Sequence, residues 1–533
     1  MSRRKTTLLL LPIAVATCLL VPLLIGKTNL IARNETKAAA TPTAAKASTP
    51  DLLSKQPADV ALAQQIDQAI DSSELTQARW GVFVMSTRDG RVLVSHNSDR
   101  LFTPASNMKI YTTAVALDLL GPDYRWRTSV YTDKQPDASG VVDGNLTLYG
   151  RGAPDLDSKK GLTSLADQMY QRGVRRVRGN VIGDDSYFRG ELYGLGWQWN
   201  DLQWYFGAEP SALTIDENSV ELTISPANKV GTSATLTLNH GANYLHLVNN
   251  TATAGREAAT TLGINRGLSD RELIVWGDFP VSGRPFSAFL SVPKPALWAA
   301  TLFKEALIAR GIKVEGDARS QDARVAERDK FDPQKAIEIG QENSAALTEI
   351  VRHTNKESDN LYAELILRTM GKERGPTAPD PDERKNRARG DDKAGTALVM
   401  SWLNRNGVAT DGLAIWDGSG LSRLDLVTPE ATARLLAGIA RTNAATAFHD
   451  SLPIAGRDGT LGGRLSRLTG RIFAKTGTLT YDHSLSGYAV TQNNEVLAFS
   501  IFCNDASGRG NPVRLIDQIA GLIAEAGSAS PSK

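Results

Sequence analysis

Four serines in this chain stand three residues before a lysine: Ser2–Lys5, Ser106–Lys109, Ser291–Lys294 and Ser530–Lys533. A serine hydroxyl is a weak nucleophile until a base takes its proton. Lysine becomes that base when burial or a neighbouring cation lowers its pKa. On a helix, positions i and i+3 share a face, so such an amine can reach back to the hydroxyl. Context chooses among the four. Ser2–Lys5 lies in the basic leading segment, and Ser530–Lys533 is at the tail. Pro293 and Pro295 bracket Lys294 and oppose a helical turn. Only Ser106–Lys109 opens an apolar run, "SNMKIYTTAVALDLLGP". A helix start there also offers backbone N–H groups and a positive dipole end to a developing oxyanion.

Two other short stretches add polar groups of matching chemistry. Ser358–Asp359–Asn360 interrupts two helical patterns, "ALTEIVRHTN" and "LYAELILRTMG". Lys475–Thr476–Gly477, followed by Thr478, lies in a β-rich run, where Gly477 would let a substrate backbone approach closely. Taken singly, each has an ordinary explanation. S-x-N also occurs at Ser95–His96–Asn97, and such a triplet is commonly a helix cap; K-T-G is commonly a strand end. Three in this order, each in a suitable setting, are far harder to obtain by chance and favour Ser106–Lys109 as nucleophile and base.

The elements that must position these residues come from both ends of the chain. "PADVALAQQIDQAID" has helical spacing, and "RWGVFVMSTRDGRVLVSHN" reads as a hairpin turning at Asp89–Gly90. A buried helix is expected from about Ser106 to Leu120, stopped by Gly121–Pro122. At the other end "GRIFAKTGTLT", "LSGYAVTQ" and "EVLAFSIFCN" read as successive strands turning at Asn493–Asn494, and "NPVRLIDQIAGLIAEAG" as a closing amphipathic helix. Between them, short β runs dominate, joined late by helical "LWAATLFKEALIARG". "GKERGPTAPDPDERKNRARGDDKAG" reads as a solvated loop. The expected organisation is a leader at 1–26, a linker at 27–56, a catalytic domain of 57–127 with 335–527, a mainly β insert at 128–334 and a tail at 528–533.

Composition narrows the chemistry further. The 533 residues are 41% hydrophobic and 22% charged with net charge +2, so no basic footprint for nucleic acid exists. Cys18 and Cys503 are the two cysteines, and neither a disulfide framework nor a cysteine metal site follows from them. No metal or cofactor is expected: the chain has no H-E-x-x-H, no G-x-S-x-G elbow and no Walker lysine. "MSRRK" precedes the uncharged Thr6–Gly26, an export signal in order and polarity that is also long enough to anchor in a bilayer. The Ala/Thr/Pro-rich stretch after it reads as a linker. A cell-envelope or periplasmic location is expected.

S-x-x-K, S-x-N and K-T-G in this order resemble the serine DD-peptidases, penicillin-binding proteins and serine β-lactamases. About 250 residues separate the first two motifs. That gap resembles the class C penicillin-binding proteins, the D-alanyl-D-alanine carboxypeptidase/endopeptidase family. "GLGWQWNDLQWYFGAEPSALTIDEN", "ESDNLYAELIL", "DGSGLSRLDLVTP" and "RDGTLGGRL" are similar to that family too. The resemblance runs from about residue 60 to 525. It implies an α/β fold, with an antiparallel sheet flanked by helices and a large mainly β insert of one or two subdomains.

The resemblance implies roles residue by residue. Ser106 would attack the carbonyl of the penultimate D-alanine, and Lys109 would take its proton. Ser358 would relay a proton to the leaving amine, with Lys475 tuning the site. Asn360 would hold the substrate amide and help place Lys109. Thr476 and Thr478 would bind the terminal carboxylate, and the N–H groups of Ser106 and Thr478 would form the oxyanion hole. Peptidoglycan stem peptides are the implied substrate and β-lactams covalent inhibitors. Family members often carry G-D-P early in the insert, whose aspartate meets the amine of the stem-peptide diamino acid; here the stretch is "GRGAPDLD", leaving Asp155 or Asp157 for that contact. A β-lactamase or esterase of the same fold, and a wall-binding relative without turnover, are the rival readings. The large insert argues against the first and the complete motif set against the second.

Overall fold

Strands from the two ends of the chain build the sheet that carries the motifs. Across it run Ile472–Leu479, Asp482–Val490, Val496–Asn504, Arg79–Ser86 and Val92–His96, each antiparallel to its neighbour. The computed structural model describes residues 53–241, 243–268, 270–324, 330–375 and 390–527. The leader, most of the linker and the tail therefore lie outside the described residues. Among those described, no helix is long and apolar enough to cross a membrane.

Side chains alternate between the two sides of a strand, and this sheet buries both. Val82, Val84, Phe499 and Ile501 pack against Leu62 and Ile66 of helix Pro57–Asp71 and Ile516 and Ile519 of helix Pro512–Ala524. Phe83, Met85 and Phe502 meet the other core, which holds helices Met108–Leu120 and Pro429–Ile439. Burial on two sides explains why Val496–Asn504 reads as a continuous apolar run. Helix Met108–Leu120 is buried at every position from Met108 to Leu117, as its apolar residues on most faces require. Its expected start is refined: Ala105–Asn107 forms a 3-10 turn carrying Ser106, and the α-helix proper begins at Met108.

The intervening region has its own core of Val130, Leu148, Val181, Trp298 and Phe303, among others. Its largest sheet runs Ala318–Gln321, Val181–Asp184, Leu146–Tyr149, Arg127–Thr132 and Ile337–Asn343. Helix Pro295–Ala309 lies on it, and three three-stranded sheets complete the region. Strand Ile337–Asn343 falls beyond residue 334, yet it pairs with Arg127–Thr132. The sheet thus takes a strand from each crossing between the two regions. The stretch expected to be a solvated loop after Met370 is helical at both flanks. Helix Asn360–Arg374 runs into it, and helix Asp391–Arg405 opens before its end.

Candidate active site

Ser106 and Lys109 meet as the i, i+3 spacing requires. The Lys109 Nζ donates to Ser106 Oγ at 2.9 Å, to Asn360 Oδ1 at 2.6 Å and to the Ser419 carbonyl at 2.8 Å. Three acceptors saturate the three donors of an ammonium. Lys109 has no exposed surface, and burial pulls its pKa down from 10.5 to about 8. Asp417, Asp359 and Glu364 pull the other way and keep the amine from falling further.

The S-x-N stretch sits where helix Leu347–Lys356 ends and helix Asn360–Arg374 begins. Ser358 there has φ 63°, a left-handed conformation that non-glycine residues adopt at a cost. Asp359 stabilises the bend by capping the second helix, accepting the Tyr362 N–H at 2.9 Å. Ser358 Oγ receives a hydrogen bond from Lys475 Nζ at 2.8 Å. Lys475 is fully buried; burial first, and repulsion from Lys109 second, hold its pKa well below the ordinary lysine value. Two buried amines with lowered pKa thus each face a serine hydroxyl.

Asn360 is engaged on both ends of its amide. Its Oδ1 takes Lys109, and its Nδ2 donates to the Phe206 carbonyl at 2.9 Å. The intervening region therefore sets which way Asn360 points. It also walls the cleft: a cavity of about 350 Å³ is lined by Ser106, Ser358, Asn360 and Thr478 on one side and by Asp201, Tyr205 and Phe206 on the other.

Of the expected substrate contacts, Thr478 lines the cleft, and Thr476, Gly477 and Asp155 are placed outside that lining. Thr476 is buried, its hydroxyl donates to Thr460 Oγ1 at 2.7 Å, and it does not line the cleft; Thr478 does. The side of Gly477 that would carry a Cβ faces the protein rather than a substrate. A Cβ there would lie 2.2 Å from Ser484 Oγ and 2.7 Å from the Pro104 carbonyl, two residues before Ser106. Gly477 lets the strand close on the nucleophile turn, which Asn107 pins by donating to the Lys475 carbonyl at 2.9 Å. Asp155 is not brought to the cleft. Its Oδ2 accepts the Ala345 N–H at 2.8 Å, and it lines a separate cavity of about 210 Å³ together with Asp157 and Lys160.

Other residues support the site: Glu364, which no motif announced, and the family-like loop Asp417–Ser422, whose expected role was structural. Glu364 is buried, and its Oε1 accepts the N–H groups of Gly418 and Ser419 at 2.9 Å each. This aims the Ser419 carbonyl at Lys109. Burial, then Asp417, raise the Glu364 pKa to about 8. Asp417 gathers the Gly420 and Ser422 N–H groups at 2.7 Å and Trp197 Nε1 at 2.8 Å. Glu364 lies four residues after Asn360, on one helix face, which is the signal that could have found it. One group of metal-ligand types exists among the described residues: Glu217, His353 and Asp359. His353 Nε2 lies 3.6 Å from Asp359 and 3.8 Å from Glu217; the Asp359 carboxylate beside it raises the His353 pKa, and burial, then Asp359, push that of Glu217 up to about 7.

Known proteins share this arrangement of elements. The chain is 34% identical over 484 residues to a D-alanyl-D-alanine carboxypeptidase of Actinomadura sp. (strain R39), covering 88% of this chain and 86% of that one. It is 26% identical over 449 residues to D-alanyl-D-alanine carboxypeptidase DacB of Haemophilus influenzae, 82% of this chain and 89% of that one. The crystal structure of penicillin binding protein 4 from Haemophilus influenzae superposes with a TM-score of 0.73 at 24% identity, over 86% of this chain and 99% of that chain. Residues 62–526, nearly all of what the structure describes, match the D-Ala-D-Ala carboxypeptidase 3 (S13) family, and the chain belongs to it.

Proposed function

We propose that this protein is a serine D-alanyl-D-alanine carboxypeptidase and/or DD-endopeptidase that cleaves peptidoglycan stem peptides through an acyl-enzyme on Ser106. The observation that carries this is the 2.9 Å contact between Ser106 Oγ and the buried Lys109 amine, held by Asn360 and Ser419. Neutral Lys109 takes the Ser106 proton as Oγ attacks the D-alanine carbonyl. The N–H groups of Ser106 and Thr478 receive the oxyanion. Ser358, bonded to Lys475, passes a proton to the departing amine, and the C–N bond breaks to leave an ester on Ser106. Thr478 on the cleft wall takes the carboxylate of the leaving residue, with the Lys475 amine behind it. Water hydrolyses the ester and restores the hydroxyl. A β-lactam enters as an analogue whose leaving group stays tethered, so the ester persists.

Such substrates lie outside the cytoplasmic membrane. We infer that Thr6–Gly26 directs export, and that the mature enzyme works in the cell envelope, free in the periplasm or held by that segment. Asp155 as a substrate contact requires the cleft to extend to its present position beside Ala345.

The test is intact mass of the soluble form after incubation with benzylpenicillin, beside Ser106→Ala. A stoichiometric adduct on the wild type, absent from the variant, is the expected result. No adduct with intact drug would favour a binding relative, and no adduct with rapidly destroyed drug a β-lactamase.

A further inference from the structure

Acylation of Ser106 by a stem peptide expels either a free D-alanine or the amino group of a second, cross-linked strand. A second cavity of about 540 Å³ adjoins the Ser106 cleft, and Glu357 lines both. Glu357 directly precedes Ser358, the residue that delivers the proton to the departing amine. The second cavity therefore borders the segment that carries Ser358. D-alanine has six heavy atoms, whereas a volume of this size suits a ligand of several residues.

The cavity is built firmly. Lys356 Nζ donates to the Leu452 carbonyl at 2.6 Å and to both carboxylate oxygens of Asp458 at 2.8 Å, and Asp458 also accepts the Ile454 N–H at 2.8 Å. Phe473 lines it from the Lys475 strand, two residues earlier and on the same face. Five exposed charged residues line it: Glu349 pairs with Arg352 and Asp450 with His449, which leaves Arg457 and Glu357. Among the described residues neither side chain forms an ion pair or hydrogen bond.

We propose that this cavity is the subsite for the departing strand of a cross-linked stem peptide, with Arg457 receiving a carboxylate of that strand and Glu357 facing its cationic groups. This rests on the DD-peptidase reading of Ser106. The bond broken is the amide between the D-alanine carbonyl and the side-chain amine of the second strand's diamino acid. The acyl carbon passes to Ser106 Oγ, the nitrogen gains the proton relayed by Ser358, and water later frees the D-alanine carboxylate. Free carboxylates on the departing strand match a free guanidinium, which binds them with directed charge-assisted hydrogen bonds.

The experiment compares the full chain with Arg457→Glu and Arg457→Lys on two substrates, a cross-linked muropeptide dimer and a pentapeptide ending in D-Ala-D-Ala, with benzylpenicillin acylation alongside. Arg457 is exposed, so folding is expected to survive in both variants. The expected result is that Arg457→Glu lowers the dimer-to-pentapeptide ratio of kcat/KM by about fivefold or more, and that Arg457→Lys restores part of it. An unchanged ratio, or parallel loss on both substrates, overturns the subsite. A wild type that is acylated and cleaves the pentapeptide but not the dimer also overturns it, while the DD-peptidase reading stands. A wild type that is neither acylated nor active overturns both.

Discussion

Acylation of Ser106 should accelerate about tenfold from pH 6 to pH 7 and about fivefold more from pH 7 to pH 8, then level off by pH 9. Only the neutral Lys109 amine can accept the serine proton. With its pKa drawn down to about 8 by burial, the neutral fraction is about 1% at pH 6, 9% at pH 7 and 50% at pH 8. The hydrogen bonds make the dependence strict. As an ammonium, Lys109 spends all three protons on Ser106 Oγ, Asn360 Oδ1 and the Ser419 carbonyl. The last two are acceptors with no proton to return. The proton lost must therefore be the one toward Ser106, which turns the lone pair onto that hydroxyl. The same pKa bears on stability: it lies below the unfolded value of 10.5, so the protonated state taxes folding at neutral pH. Stability should fall as pH drops from about 10.5 to about 8, by up to about 3 kcal/mol from this group. The assay is stopped-flow acylation by a chromogenic cephalosporin from pH 5.5 to 9.5 at constant ionic strength. A rate that is flat between pH 6 and pH 8 would remove Lys109 from the role of base.

Three other perturbations separate chemistry from packing. Lys475→Met takes away a buried amine that burial and Lys109 both oppose charging; turnover should fall at least about a hundredfold while the thermal midpoint at pH 6 holds or rises by about 2 °C, measured by calorimetry. A drop of several degrees would show that its bond to Ser358 matters more than its desolvation. Gly477→Ala forces a Cβ onto Ser484 and the Pro104 carbonyl, and should cost about 1–3 kcal/mol in denaturant melts and more than tenfold in acylation; an undisturbed rate would mean the strand and the Ser106 turn move independently. Glu364→Gln keeps an oxygen for the Gly418 and Ser419 N–H groups but removes the partial charge that a carboxyl with a pKa of about 8 carries at the half-maximal pH, a charge that raises the Lys109 pKa. The half-maximal pH of acylation should move down by about 0.3, and an unmoved profile would mean that Glu364 acts there as the neutral acid.

What could be read from the sequence was what local pattern dictates. Period-2 runs and their turn residues marked the hairpin at Asp89–Gly90 and the three C-terminal strands, and an apolar run marked the helix behind Ser106. Motif spacing placed Ser106 with Lys109 because three residues on a helical turn leave one geometry. What escaped depends on contacts between distant segments. Asn360 is oriented by the Phe206 carbonyl, 154 residues away, and Lys109 is held by the Ser419 carbonyl, 310 residues away. Backbone carbonyls carry no residue-type signal, so no motif could announce either. Gly477 was assigned to substrate approach because a strand glycine shows only that something comes close, not what. Asp155 was assigned by analogy to a shifted motif, which says nothing of the Ala345 N–H that its Oδ2 accepts.

The pairing of Arg79–Ser86 with Val496–Asn504 also governs when this protein can become active. Arg79 faces Asn504 and Ser86 faces Leu497, so the first strand of the sheet waits for nearly the last residues of the chain. As the chain is synthesised the intervening region, with its own apolar core, emerges whole and can fold first, while the helix behind Ser106 has no completed sheet to pack on. Contacts of such sequence separation form late, since closing the longest loops carries the largest entropic cost. Lys475, at the far end of the same sheet, arrives equally late. A chain interrupted between Ser106 and about residue 504 holds a nucleophile but no complete Val496–Asn504 strand to seat it, so hydrolytic competence emerges only once that strand is made.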